Sequence, residues 1–297
     1  MNLDELHWFV VLAETGHMTN AAAELNITQP TLSRALGRLE RQLGAPLFDR
    51  INRRLQLNPY GQIMLHHARR SLAEIHTASE RITALRDPEG GTVRLAFLHS
   101  LAAWPVPEML RSFRDEAPQV QFDLSQAAGH EIVNLLDTGQ VDLAITGPRL
   151  DREDFGWHQL VVERLCLAVP SNHRLAKRRR ISLSETADER FIALRSEFAL
   201  RHLTNDLWAA EGISPRVVFE AMEIPTIEGL VAAGLGIAVV PTPRPNRAEP
   251  AAVYISLSNP SARRAVGMAW VDGRAISPAA ERFAAFIRAT KRQPPSA

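Results

Sequence analysis

The chain has 297 residues, 45% of them hydrophobic, and a formal net charge of +1 at neutral pH. That is enough apolar material for two or three folded cores and too little net charge for a general polyanion binder. A single cysteine, an acidic start (Asp4, Glu5) with no basic leader, and no apolar run of transmembrane length predict a protein of the reducing cytoplasm, with no membrane partner.

Leu3, Leu6, Phe9, Val10 and Ala13 mark one face of an amphipathic helix. Residues 18–37 then carry a helix-turn-helix pattern. Small alanines at 21 to 23 let a second helix cross closely, and Asn26 suits the left-handed turn conformation. Thr28 is a good N-cap, and Pro30 fits the first helical turn, where its missing N–H is harmless. Leu32, Leu36, Leu39 and Leu43 predict a buried stripe, while Gln29, Thr31, Ser33, Arg34 and Arg38 occupy the opposite face. Such a helix is built to reach base edges in a major groove.

Gly44-Ala45-Pro46 stops that helix, and Leu47-Phe48 is an apolar anchor. Arg50 to Leu57 alternates as a short β-hairpin wing would, with Arg53 at a tip able to enter a narrow minor groove. From Thr28 to Arg70 eight arginines face only two acids, which favours phosphate neutralisation. Taken alone, Arg34 and Arg38 would fit a solvated helix face; with the alanine-rich helix and the turn, DNA binding is the better reading. Only Phe48 and Tyr60 are aromatic between Thr28 and Arg70, so stacking on single strands is disfavoured and groove reading of duplex is preferred.

The run Ala-Ala-x-x-Leu-Asn-Ile-Thr-Gln-Pro-Thr-Leu-Ser-Arg-x-Leu-x-x-Leu-Glu, followed by Leu-Gly-x-x-Leu-Phe-x-Arg and Leu-x-Leu-Asn-Pro-x-Gly, resembles the LysR-type transcriptional regulators. The resemblance is specific over residues 1 to about 90 and looser beyond. It implies a sequence-specific regulator, not an enzyme, with a winged helix-turn-helix domain over residues 1–58. The residues it implies at the DNA are Thr28, Gln29, Pro30, Thr31, Ser33, Arg34 and Arg38, with Arg50, Arg53 and Arg54 on the wing. It also implies a homodimer or homotetramer on double-stranded promoter DNA, contact with RNA polymerase, and a small-molecule effector in place of any cofactor. The effector half of the family looks like a periplasmic binding protein.

Residues 59–87 predict a single long linker helix. Leu65, Ala68, Leu72, Ile75, Ser79 and Ile82 recur at alternating spacings of three and four, a heptad seam that wants a partner helix. Packing on the rest of its own chain is the other possibility; self-association is favoured, because a helix-turn-helix reads a two-fold site as a pair. His66, His67 and His76 lack matching acidic or cysteine ligands, so no metal site is expected.

Asp87-Pro88-Glu89-Gly90-Gly91 breaks the helix. From residue 91 to 297, strands and helices alternate, and the fold class expected is α/β: a parallel sheet with helices on both faces, arranged in two lobes. The first lobe takes residues 91–162 and 265–297, the second 163–264. Two lobes connected twice place a ligand cleft between them. Strand ends and helix starts nominate His99, Ser100, Thr146, Arg195, Ser196, Glu223 and Thr226 as its lining. Ser100 is equally suited to plain N-capping, and Arg195 to a surface ion pair.

Other apparent motifs carry less. Gly234-Leu235-Gly236 lies between a helix and a strand, the reverse of a dinucleotide-binding turn, and a helix C-cap explains it. Lys177 to Arg180 reads as a solvated loop and Cys166 as a core thiol. No catalytic constellation is visible. A solute-binding protein would share the two-lobed half but would have no use for residues 1–60. An enzyme would need a convergent acid, base or nucleophile in the cleft.

Overall fold

A computed structural model describes residues 2–51, 54–84, 89–150, 152–243 and 252–290, without the side chains of residues 50 and 51. At the N-terminus, α1 (Leu3–Thr15) begins on a capping box in which Asn2 and Glu5 bond each other's backbone N–H, and it ends at Gly16 with φ of 66°. It buries Leu6, Phe9 and Val10 but leaves Leu3 exposed. In α2 (Met18–Glu24), Ala21 and Ala22 are the buried close-approach positions, while Ala23 faces solvent. Asn26 does adopt the left-handed conformation, with φ of 53°.

Thr28 caps α3 (Gln29–Leu43), whose core positions are Leu32, Ala35 and Leu39. The stripe is thus shorter than the leucine pattern predicts. Leu36 is half-buried and Leu43 exposed, because the helix stops at Gly44 with φ of 71° and Leu47 closes the core instead. The Leu47 N–H donates to Glu40 Oε1 at 2.8 Å, which fixes that turn. The wing is the antiparallel pair β1 (Phe48–Ile51) and β2 (Arg54–Leu57), with Ile51 opposite Arg54. It is pinned to the end of α1 by the Leu55 N–H on the Gly16 carbonyl, 2.9 Å. Buried Asn58 bonds the Pro46 carbonyl and the Gly61 N–H; a Cβ on Gly61 would stand 2.1 Å from the Leu47 oxygen, so this position demands glycine.

The predicted seam divides on α4 (Pro59–Ala84). Leu65, Ala68 and Leu72 pack onto the winged-helix core of their own chain, together with Met64. Ile63, Ile75 and Ile82 are exposed.

The larger unit contains β3 (Thr92–Leu98), α5 (Val106–Glu116), β4 (Gln121–Ala127), α6 (Gly129–Asp137), β5 (Leu143–Thr146) and β6 (Phe155–Val169). It continues through β7 (Arg180–Ile181), β8 (Arg190–Leu194), α7 (Ala199–Ala210), β9 (Arg216–Ala221), α8 (Ile224–Ala232) and β10 (Ala238–Pro241). It ends with β11 (Val253–Leu257), β12 (Arg263–Val271) and α9 (Pro278–Ala289). The strand order is β4-β3-β5-β12-β6-β11-β7, with β10 also on β6. β3 runs parallel to both β4 and β5, as expected, but β12 is antiparallel to β5 and β6, so the sheet is mixed rather than parallel throughout.

The long strands β6 and β12 join two hydrophobic cores. One gathers Leu95, Met109, Phe113, Ile145, Met268 and Phe283; the other gathers Leu167, Phe191, Trp208, Val231 and Ile255. In the second, β8 and β9 pair in parallel, and β8 exchanges 2.8 Å backbone bonds with Ile237. That contact explains the glycine pair. Gly234, with φ of 77°, is the left-handed residue just after the Ala233 C-cap of α8, whereas a Cβ on Gly236 would lie 2.6 Å from the Arg190 oxygen. The linker helix is fixed to the first core: Arg94 pairs with Asp142 at 2.5 Å and also donates to Thr77 Oγ1 of α4 at 3.3 Å, all three buried. Arg81 of the same helix bonds Glu281 at 2.6 Å.

Candidate DNA interface and ligand cleft

The first turn of α3 presents its polar residues together because the cap orients them. Thr28 Oγ1 accepts the Thr31 N–H at 3.4 Å and pairs with the Thr31 hydroxyl at 2.8 Å, satisfying a free helix-end donor. Thr28, Gln29, Pro30, Ser33 and Arg34 are exposed, and Thr31 half-buried. They stand on a rigid floor formed by Leu32, Ala35 and Leu39.

Arg38 behaves differently from its neighbours. Its Nε donates to Glu5 Oε1 of α1 at 2.8 Å, although half of its side chain remains exposed. The Arg38 hydrogen bond holds the buried Glu5 carboxyl below its usual range, against the effect of desolvation. Arg54 is exposed at the start of β2. Arg50 contributes backbone to β1, but its side chain, and the whole of Arg53, lie outside the described residues.

Between the two cores is a small, partly open cavity of about 20 Å³, room for roughly one water. Leu98, His99 and Ser100 line it from the end of β3, and Leu194, Phe198, Leu200, Met222 and Ile224 from the second lobe. A wider space of about 380 Å³ adjoins it, sharing Gly129 and Ala199 and lined by Thr146, Arg149, His130, Glu197, His202 and Asp206 among others. Three of the nominated residues, His99, Ser100 and Thr146, therefore reach the cleft. The other four line neither space. Arg195 pairs with Glu197 at 3.1 Å and is mostly exposed; the exposed Ser196 offers its carbonyl to His202 Nε2 at 2.7 Å. Glu223 is the N-cap residue of α8, and Thr226 is exposed on that helix.

The residue that sequence reading passed over is Arg264. It is only 3% exposed and lines the small cavity. Its Nε donates to Glu163 Oε2 at 2.6 Å and its Nη1 to Ser100 Oγ at 2.9 Å. Its Nη2 is buried with no hydrogen-bond partner among the described residues, as is His99 Nδ1. The signal was parity: Arg264, Val266 and Met268 fall on the same, buried side of β12. Cys166 is buried beside the Val240 carbonyl, and burial pushes its thiol up to about 12, so it is no reactive thiolate. Lys177 to Arg180 are exposed.

Residues 3–62 match the model for the bacterial regulatory helix-turn-helix protein of the lysR family, and residues 86–292 match the LysR substrate binding domain. Among curated relatives, the HTH-type transcriptional regulator YybE of Bacillus subtilis is 39% identical over 97% of this chain and 98% of its own. The effector binding domain of QuiR, solved in complex with shikimate, is 28% identical, covers 67% of this chain and 95% of that one, and superposes with a TM-score of 0.62. Full-length CbnR, solved with its target DNA, shares the fold at a TM-score of 0.73 and 22% identity, covering 97% and 99%. No helix among the described residues is long and apolar enough to cross a membrane.

Proposed function

This chain belongs to the LysR family of DNA-binding transcriptional regulators with a C-terminal effector-binding domain, and from that premise we propose how its own residues divide the work. The first turn of α3 enters the major groove, with Gln29, Pro30, Thr31, Ser33 and Arg34 toward base edges and Thr28 near the backbone. Arg50, Arg53 and Arg54 of the wing reach phosphates and the neighbouring minor groove. Arg38, already engaged by Glu5, serves a phosphate through its remaining N–H groups rather than a base. The observation that carries this reading is the exposed polar turn held on a buried hydrophobic floor. Competition gel shifts test it. Arg34→Ala should cost about 1–3 kcal/mol and relax sequence preference, whereas Arg53→Ala should weaken binding evenly across sequences. Unchanged discrimination in the Arg34 variant would remove it from the groove.

Self-association runs through the solvent-facing side of α4, where Ile63, Ile75 and Ile82 are exposed. Two copies would set two recognition helices on a two-fold promoter site in the cytoplasm, and a tetramer would span a longer one. Sedimentation should show Ile75→Glu with Ile82→Glu shifting the protein toward the monomer; a variant that sediments as the wild type does refutes this face. RNA polymerase is the partner through which such a bound assembly would change transcription.

A small organic effector occupies the cleft between the lobes, in the manner of the shikimate held by QuiR, and works only through a difference in its affinity for two arrangements of the assembly. His99 and Ser100 meeting Phe198 and Met222 from the opposite lobe in one cavity supports this.

A further inference from the structure

We infer that the small inter-lobe cavity is an oxyanion site in which Arg264 Nη2, the Ser100 hydroxyl and His99 receive the anionic head of the effector, whose body extends past Gly129 into the wider space. This rests on the cleft being the effector site and adds the chemical class of its ligand.

The polar atoms are unspent, and their residues line one cavity. Nη2 of Arg264 can only donate, is buried, and has no partner among the described residues. Ser100 Oγ already accepts from Arg264 Nη1, so its own hydrogen is left to point elsewhere. His99 Nδ1 is likewise buried and unpartnered, and both residues line the same cavity as Arg264. Among the described residues Glu163 is the carboxylate paired with this guanidinium, and it is bonded at Nε. The opposite wall is apolar: Leu194, Phe198, Leu200 and Ile224. A ligand entering here meets donors on one side and hydrocarbon on the other, which selects an acceptor-rich planar head over an amide or amine. A carboxylate offers two oxygens to a fork of this kind, with charge-assisted bonds in a water-poor space. The cavity as it stands has room for less than such a head, so the lobes part to admit it and the remainder of the ligand lies toward Thr146 and His202.

Calorimetry on the full-length protein would decide, with acetate, malate and benzoate each set beside its neutral amide, and with sulfate and phosphate as separate arms. At least one carboxylate should bind tenfold or more tightly than its amide. Arg264→Lys, which keeps a cation for Glu163 but loses the fork, should weaken it at least tenfold, and Ser100→Ala several-fold. Gly129→Trp supplies the control for the cleft itself, since a Cβ there meets nothing within 4 Å and the indole would fill the junction of the two spaces. Sulfate or phosphate binding alone, abolished in Arg264→Lys, would retain the oxyanion site and make its ligand inorganic. Binding lost in Gly129→Trp but equal for acid and amide, and indifferent to Arg264→Lys, would overturn the oxyanion assignment and leave the cleft standing. Carboxylate binding that survives Gly129→Trp would remove the cleft as well. Failure of every anion to bind overturns the inference.

Discussion

Arginine stands in two regions of this molecule under opposite conditions, and in each it is proposed to meet a ligand. On α3, Arg34 stands in solvent on a surface already complete without it. In the cleft, Arg264 is enclosed, shares its charge with Glu163 and supports Ser100. The first can be exchanged without disturbing the fold, so binding specificity there is free to drift. The second is part of the structure it serves, because a buried ion loses more when its partner goes than an exposed one does.

That contrast can be broken most directly at Arg264. Arg264→Met strands Glu163 in a dry site and should destabilise the protein by about 3–5 kcal/mol, read as a lower urea midpoint. The double variant with Glu163→Gln should recover most of the loss. Leu39→Ala removes a fully buried side chain from the floor beneath the reading turn and should cost about 2–5 kcal/mol, abolishing gel-shift activity. Calorimetric ligand binding in the distant cleft should persist, and its loss would show the two regions to be one folding unit. Thr28→Ala removes the cap of α3 and should cost about 1 kcal/mol in thermal unfolding.

Acid sharpens the comparison further. Glu5 has its folded pKa depressed below the ordinary 4.5 by Arg38, so its contribution is fully present above that unfolded value. It fades as the pH falls through the folded one. Glu5→Gln should lower stability at pH 7, where that contribution is fully present, and flatten the acid limb of the stability profile below about pH 4.5; an unaltered acid limb would mean the pair is idle. Smallest of all, Arg34→Met should stay within about 0.5 kcal/mol of wild-type stability, measured by chemical denaturation, while DNA binding falls.

The reading head was legible because its signals are local. Thr28, Pro30 and Gly44 bound α3 by their own backbone preferences, and α3 begins and ends where they put it. The strands Thr92–Leu98 and Val253–Leu257 also coincide with local apolar runs. The front half of β6, with Gly156, His158 and Gln159, has no continuous apolar run to mark it; it is stabilised by pairing with β12, a partner more than 100 residues later. The cleft was hardest for the same reason. Ser100 could be nominated from a strand end, but its partner Arg264 lies 164 positions away, at the start of β12, where two arginines precede the apolar run that marks the strand. The split seam of α4 is similar: Leu65, Ala68 and Leu72 have the spacing of an intermolecular stripe, and only the fold shows that their own chain covers them.

The buried trio of Arg94, Asp142 and Thr77 turns α4 and the first lobe into one lever arm. The second lobe, by contrast, is tethered across β6 and β12 like a flap on two straps. On the proposed reading, a molecule that draws the flap inward would leave the arm unbent and change instead how the flaps of neighbouring copies abut, and so the spacing at which their reading heads are offered to the double helix.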